Sequence, residues 1–174
     1  MIATTPFRQI NLSVVNVKTY LFSTLFVFGN LALPQICHLI PDGGKILLPI
    51  YFFTLIASYK FGLKVGLLTA LFSPLMNYLF FGMPTLSMLP VILVKSSLLA
   101  VAAAWIANKS QSVSLLLIAL TILAYQMLGG LAEWAITTDL NAALQDFRLG
   151  FPGMLVQWIA GWGLLKLMAQ KTNI

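Results

Sequence analysis

The stretch that decides the fold is residues 41–104, PDGGKILLPIYFFTLIASYKFGLKVGLLTALFSPLMNYLFFGMPTLSMLPVILVKSSLLAVAAA. It holds three apolar runs, at 45–60, 65–82 and 87–107, and these are separated by the short turns KFGLK and MPTLS. A helix needs about 20 mostly apolar residues to cross a bilayer. The pattern therefore predicts consecutive membrane-spanning helices. The second run is short, and Pro49 predicts that its outer, N-terminal end is broken or shallow.

Three further apolar runs flank this stretch, at 18–39, 113–136 and 151–169. Of the 174 residues, 60% are hydrophobic and 8% are charged, whereas a soluble domain carries roughly 25% charged residues. No linker, low-complexity tract or internal repeat divides the chain. We therefore predict an all-α membrane protein in which residues 1–174 form one compact bundle of six transmembrane helices.

The charged residues predict the orientation of this bundle. With the N-terminus inside, seven cations lie at cytoplasmic ends of the runs: Arg8, Lys18, Lys60, Lys64, Lys109, Lys166 and Lys171. The four acids lie at or near the outer ends: Asp42, Glu133, Asp139 and Asp146. Only Lys45 and Arg148 fall in outer loops. Because Lys and Arg concentrate in short cytoplasmic loops, both termini are predicted to be cytoplasmic.

Composition also excludes several classes of protein. The net charge of +6 is spread along the inner rim, so topology and anionic lipid explain it better than nucleic acid does. The stretch MIATTPFRQINLSVVNVK lacks the basic-then-apolar order of a cleaved signal peptide, and the first run is therefore expected to remain as a helix. A single cysteine, Cys37, excludes an internal disulfide and a Cys-rich metal site.

One cation, Lys95, lies inside the fourth run. Eight residues from the outer end correspond to a depth of roughly 12 Å, where a Lys costs roughly 2.5–3.5 kcal/mol on insertion scales. Lys95 is therefore expected to face a cavity or the bundle interior, with a ligand anion or an ion pair as its partner. The alternative is that its side chain extends along the helix to the outer interface.

Glu133 is the natural partner of Lys95. Gln126, Gly129, Gly130 and Glu133 follow at i, i+3, i+4 and i+7 on the fifth run, so they share one helix face. The two glycines remove side-chain bulk where the polar residues point. That arrangement serves either close helix packing or space for a ligand.

Other polar and aromatic residues lie at a similar depth in the outer half of the bilayer. They are His38 at the end of the first run, Asn77 on the third, Trp134 at the outer end of the fifth, and Gln157 and Trp158 on the sixth. Each alone is more often a helix–helix contact or an interfacial anchor, but their common depth favours a shared site. Cys37 and His38 are adjacent and point about 100° apart on a helix, so they do not form one metal site.

Catalytic sequence motifs are absent. The chain has no GxSxG, HExxH or GxxxxGK[ST] motif and no paired carboxylates within one run. We therefore predict no enzyme activity, no cofactor and no metal site. Any work driven by ATP must come from a partner protein.

In size and in the pattern of residues 41–104, the chain resembles the substrate-binding S component of energy-coupling factor (ECF) vitamin transporters. The likeness lies in the outer Gly-rich turn PDGG, the short second span, the basic turn KFGLK, the Gly-opened third span and the small-residue tail of the fourth. The small-xxx-small pattern typical of that family's first helix is not clearly present, since Gly29 and Ala32 are three residues apart.

The resemblance implies a pocket in the outer half, built mainly from the fourth to sixth helices and closed by the first outer loop. It also implies a prokaryotic cytoplasmic-membrane location, partnership with a membrane scaffold subunit and two cytoplasmic ATPases, and toppling of the whole S component to deliver a water-soluble vitamin. The residues that match the pocket by position are Lys95, Gln126, Glu133, Trp134, Gln157 and Trp158. On this reading Lys95 recognises an anionic group, while Gln126, Asn77 and Gln157 bind the ligand by hydrogen bonds and Trp134 and Trp158 stack on it.

Two other classes of protein remain open from the sequence. A structural scaffold of the rod-shape-determining (MreD) type has a similar length and a comparable Pro-Asp turn, and in such a protein Lys95 and Glu133 form an internal ion pair. A small intramembrane enzyme is the second alternative, with Lys95, Glu133 and His38 as its available reactive groups.

Overall fold

Helices account for most of the fold. A computed structural model describes residues 4–170, so Lys171 lies outside the described residues. The helices are α1 (Val17–Cys37), α2 (Gly43–Leu47), α3 (Phe52–Phe61), α4 (Leu63–Phe81), α5 (Leu89–Ser110), α6 (Leu115–Thr137), α7 (Leu140–Ala143), α8 (Gln145–Arg148) and α9 (Phe151–Gln170). A 3₁₀ turn covers Pro49–Tyr51. Two short strands, β1 (Thr5–Pro6) and β2 (Ser112–Val113), pair antiparallel with Thr5 opposite Val113.

Four helices within residues 4–170 are long and apolar enough to cross a membrane, namely α1, α4, α5 and α6. Large apolar side chains project outward from them, as Phe28 on α1 and Leu131 on α6 do, and a hydrocarbon environment suits such a surface. The prediction of an all-helical membrane protein is confirmed at this level. Helix α9 has 20 residues, but Gln157 and Lys166 lower its hydropathy. Six spans with both termini cytoplasmic therefore stay a prediction.

The predicted second span is broken at Pro49. Leu48 has a left-handed backbone conformation (φ 48°), Pro49 then starts the 3₁₀ turn, and α3 follows with only 10 residues. Ten helical residues extend about 15 Å, roughly half of the hydrocarbon thickness. Proline causes the break because it lacks an N–H and its ring clashes with the preceding turn. The expected break at the N-terminal end of this run is confirmed; that this end faces outward stays a prediction.

Helix α3 lies at the centre of the bundle, in contact with α1, α4, α5 and α9. All residues from Thr54 to Phe61 are buried. Leu55, Leu99 and Tyr125 are fully buried and pack in one hydrophobic core. We call Leu55, Leu99 and Tyr125 the packed layer.

The two ends of the bundle differ in charge. The basic end carries Lys60 at the end of α3, Lys64 at the start of α4 and Lys109 at the end of α5. The acidic end, at the opposite ends of these helices, carries Asp42, Glu133, Asp139 and Asp146. The names basic end and acidic end refer to these charges and not to a side of the membrane.

The N-terminal segment crosses the basic end. The backbone N–H of Phe7 donates to Gln111 O (2.9 Å) and that of Ile10 donates to Lys60 O (2.8 Å). The buried Gln9 amide donates to Ser58 O, Tyr59 O and Ala104 O at 3.1–3.3 Å. Tyr59 O is among the last four carbonyls of α3, which have no partner within the helix, whereas Ala104 lies inside α5. Gln9 therefore satisfies a carbonyl at the end of α3 and ties α3 to α5.

Candidate functional site

A cavity of about 690 Å³ lies at the acidic end. Its lining comes from the end of α1, the following turn, α2, the 3₁₀ turn, α4, the loop from Met83 to Met88, α5, α6 and α8. Four of the predicted site residues line it: His38, Asn77, Lys95 and Glu133. The structure thus brings these four predicted residues together. Helix α9, which was expected to help build the pocket, contributes no residue to the lining.

Three charged side chains form a buried cluster in the wall of the cavity, and we call it the ion triad. The Lys95 ammonium group donates to Glu133 Oε2 and to Asp146 Oδ2, the latter at 2.8 Å. Lys95 and Glu133 are 2% and 3% exposed, and the Asp146 side chain is 15% exposed. The alternative that Lys95 extends to the interface is therefore wrong. Two carboxylates already hold its charge, which argues against the predicted role as the binding group for a ligand anion.

Gly129 makes room for the ion triad. A β-carbon at this position would lie 2.8 Å from Lys95 Cγ, whereas one at Gly130 would lie 3.4 Å from the nearest atom, Ala143 O. The two uses predicted for these glycines were close helix packing and space for a ligand. Gly129 serves close packing, because it accommodates the aliphatic stem of Lys95. At Gly130 a β-carbon would make only an ordinary van der Waals contact with α7.

We expect Gly129→Ala to destabilise the protein by about 1 kcal/mol, because the Lys95 stem must shift in a packed interior. The thermal unfolding temperature in detergent measures the effect. Gly130→Ala is the matched control on the next residue of α6. It should be neutral or slightly stabilising, since alanine favours the helix. Equal destabilisation by both variants would contradict this account of Gly129.

Asn77 lines the cavity and belongs to a network of hydrogen bonds that holds α1, α3 and α4 together. Its amide nitrogen donates to Asn30 O (2.9 Å) and to Ser73 O (3.0 Å). The Asn30 amide in turn donates to Thr54 Oγ1 and Ser73 Oγ, both at 3.0 Å, and its oxygen accepts from the Phe53 N–H at 3.1 Å. Phe53 lies in the first turn of α3, where backbone N–H groups lack helical partners. Asn30 therefore stabilises the start of α3 after the break at Pro49, and Asn77 is fixed beside it.

The mouth of the cavity is polar and exposed. His38 caps the C-terminal end of α1 and lies beside Gly44, where a β-carbon would come within 2.7 Å of His38 Nε2. Asp42 and Lys45 form an ion pair at 3.1 Å with side chains 65% and 60% exposed. The predicted first outer loop therefore forms the rim of the cavity.

Gln157 and Trp158 lie outside the lining, contrary to their predicted place. Gln157 accepts from Tyr125 Oη at 3.0 Å and donates to Leu48 O at 3.4 Å. The Trp158 indole N–H donates to Leu115 O at the start of α6, at 2.7 Å. Helix α9 starts against the backbone of α2, because Gly153 allows direct contact with Leu47, and this places its polar face against other helices.

Trp134 and Gln126 also lie outside the lining. Trp134 is 49% exposed, on the outer surface of α6, where an interfacial tryptophan is common. Gln126 is 1% exposed, and neither of its amide atoms has a hydrogen-bond partner within the described residues. Gln126 shares a helix face with Glu133 as predicted, but it lies two turns deeper than the cavity wall.

Two residues of the site were missed from the sequence. Asp146 belongs to the connection between α6 and α9, which has no helical periodicity to show where its side chains point. Tyr51 is 3% exposed and lines the cavity just after Pro49. A signal for Asp146 did exist, because the loops at the acidic end hold three carboxylates and two cations, while Lys95 is the one cation well inside an apolar run.

The chemistry of the site consists of charge and hydrogen bonding in a mostly apolar hollow. Within residues 4–170, no group of three His, Cys, Asp or Glu side chains is placed to hold a metal ion. No family model matches the sequence, and neither a curated protein nor a solved structure is significantly similar to it. The cavity is therefore the feature of the molecule that bears most directly on function.

Proposed function

We propose that this protein binds a small water-soluble molecule in the cavity at its acidic end. The cavity carries the proposal: about 690 Å³ falls within the roughly 300–1,000 Å³ of small-molecule sites. Its wall is largely apolar and includes a few fixed polar groups, among them Asn77, Tyr51 and the ion triad. Such a wall fixes the orientation of a ligand with few polar contacts and gains affinity from apolar burial.

More specifically, we propose an S component of an ECF-type importer for a vitamin or related micronutrient. Three features support this assignment: the helical membrane fold, a cavity at the end that charge distribution predicts to be extracellular, and a rim formed by the turn after α1. The proposed topology has six spans with both termini in the cytoplasm of a prokaryotic cell. A scaffold subunit and two cytoplasmic ATPases would supply the energy.

The proposal is tested by ligand-dependent stability. We expect a water-soluble micronutrient present at 100 times its Kd to stabilise the purified protein by about 2.7 kcal/mol, because it binds only the folded state. Thermal unfolding in detergent across a panel of micronutrients measures this. Native mass spectrometry detects any compound that purifies with the protein.

A matched pair of variants on α5 places the binding site. Ile92→Trp fills the cavity that Ile92 lines and should abolish the ligand-dependent gain. Val94→Trp lies on the same helix, but Val94 is not part of the lining and is 36% exposed, so this variant should keep the gain. A ligand that stabilises Ile92→Trp as much as the unmodified protein would place the site elsewhere.

One observation favours the scaffold alternative. The ion pair between Lys95 and Glu133 expected of a structural protein is present, so Lys95 needs no ligand to compensate its charge. A scaffold of this kind should show no gain of stability with any micronutrient. The same measurement therefore decides between the two functions.

A further inference from the structure

The charges that line the cavity do not cancel. Five charged residues are in the lining: the cations Lys45 and Lys95 and the carboxylates Asp42, Glu133 and Asp146. Asp42 and Lys45 pair with each other at the exposed mouth. The deeper part therefore holds one ammonium group and two carboxylates, with a formal charge of −1.

The two inner carboxylates also have free bonding capacity. Lys95 contacts one oxygen of each, Glu133 Oε2 and Asp146 Oδ2. Their other oxygens, Glu133 Oε1 and Asp146 Oδ1, take part in no hydrogen bond within residues 4–170. A carboxylate accepts several hydrogen bonds, and Asp146 is accessible from the cavity. This part of the wall can therefore accept hydrogen bonds from a cationic group.

Tyr51 provides a second, independent feature. It is 3% exposed and lines the same cavity as Glu133 and Asp146. Within the described residues its hydroxyl group takes part in no hydrogen bond, and its ring contacts Tyr125 with centroids 5.6 Å apart. An aromatic ring close to carboxylates is a recurrent surface for a positively charged nitrogen. The hydroxyl group of this buried side chain is also left for a ligand.

We propose that the ligand is a small organic cation, whose positively charged nitrogen binds between Glu133, Asp146 and Tyr51. This inference rests on the proposed binding function and names its substrate class. A net charge buried in a medium of low dielectric constant is unfavourable unless an opposite charge compensates it, and a bound cation supplies that charge. A ligand carboxylate would face two like charges and a Lys that is already engaged.

Matched probes that share a ring and differ in charge test the proposal. They are tryptamine with indole-3-acetate, benzylamine with benzoate, and 4-aminomethylpyridine with pyridine-4-carboxylate. Thermal stability and titration calorimetry at pH 7 measure their binding to the full-length protein in detergent. We expect the amines to bind and the carboxylates not to bind.

Substitutions in the ion triad show whether binding depends on the predicted carboxylates. Glu133→Gln and Asp146→Asn each leave Lys95 with one acidic partner, and each should weaken amine binding by about ten- to a hundredfold. Asp139→Asn is the control. Asp139 lies at the same end outside the lining, where its side chain accepts from the Asn141 N–H at 2.8 Å, as an asparagine also does. The control should bind the amines with unchanged affinity.

The possible results separate this inference from the proposed function. Carboxylate probes that bind the unmodified protein more tightly than the amines would overturn the cationic ligand while leaving the binding function intact. Amine affinity that is unchanged in both Glu133→Gln and Asp146→Asn would do the same. If neither set of probes binds and no micronutrient stabilises the protein, both the inference and the proposed function are wrong.

Discussion

Replacing Lys95 with methionine should lower the free energy of unfolding by about 3–5 kcal/mol, the usual cost of removing one partner from a buried ion pair. Methionine is as unbranched and flexible as the aliphatic stem of lysine and nearly matches its length, so packing against Gly129 is preserved. The loss comes from Glu133 and Asp146, which remain side by side without a cation. Unfolding in increasing fractions of a denaturing detergent measures the change.

Two comparisons isolate the electrostatic origin of this effect. Lys45→Met breaks the exposed pair with Asp42 and should cost less than about 1 kcal/mol, as exposed pairs do. The triple variant Lys95→Met, Glu133→Gln, Asp146→Asn removes every charge of the ion triad and should recover most of the lost stability. If the triple variant is no more stable than Lys95→Met alone, uncompensated charge is not the cause.

Gly153→Ala should destabilise the protein by about 3 kcal/mol, at the upper end of the usual cost of overpacking. A β-carbon at this position would lie 2.4 Å from both the carbonyl carbon and the oxygen of Leu47 and 2.9 Å from Ile46 O. These are backbone atoms, so rotation of a side chain cannot relieve the contact. Helix α9 and the segment around α2 must separate, and the hydrogen bond from Gln157 to Leu48 O is then strained.

Helix α9 also provides the control for this prediction. Nothing lies within 4 Å of a β-carbon built at Gly163. Gly163→Ala should therefore stabilise the helix by about 0.5–1 kcal/mol, because alanine loses less backbone entropy on folding. Thermal unfolding of the two variants, measured in the same detergent, makes the comparison. Equal stability of the two variants would contradict a close contact at Gly153.

Features that depend on position along one helix could be predicted from the sequence. The break at Pro49 follows from the chemistry of proline. The burial of Lys95 follows from the cost of a charge in hydrocarbon, and its contact with Glu133 follows from their similar depth on adjacent helices. These predictions use periodicity and rise per residue, and both are nearly constant in helices.

The sequence could not indicate how far one helix is displaced along its axis relative to another. The sequence predicts that Gln157 and Trp158 share the depth of the cavity, yet α9 begins against the backbone of Leu47 and both side chains contact other parts of the bundle. Asp146 was missed for a related reason. Its direction depends on how α7 and α8 fold over α6, and no repeating pattern encodes that arrangement.

The packed layer and the N-terminal segment have a consequence for movement of a bound molecule. Leu55 and Leu99 each lie one helical turn beyond a residue of the cavity wall, and Gln9 fastens the far end. Among the described residues the cavity is therefore closed by packed side chains toward the basic end, and a bound molecule has no open route through the bundle on that side. For the proposed importer, a cavity closed on this side is compatible with the rotation of the entire protein that the resemblance to S components implies.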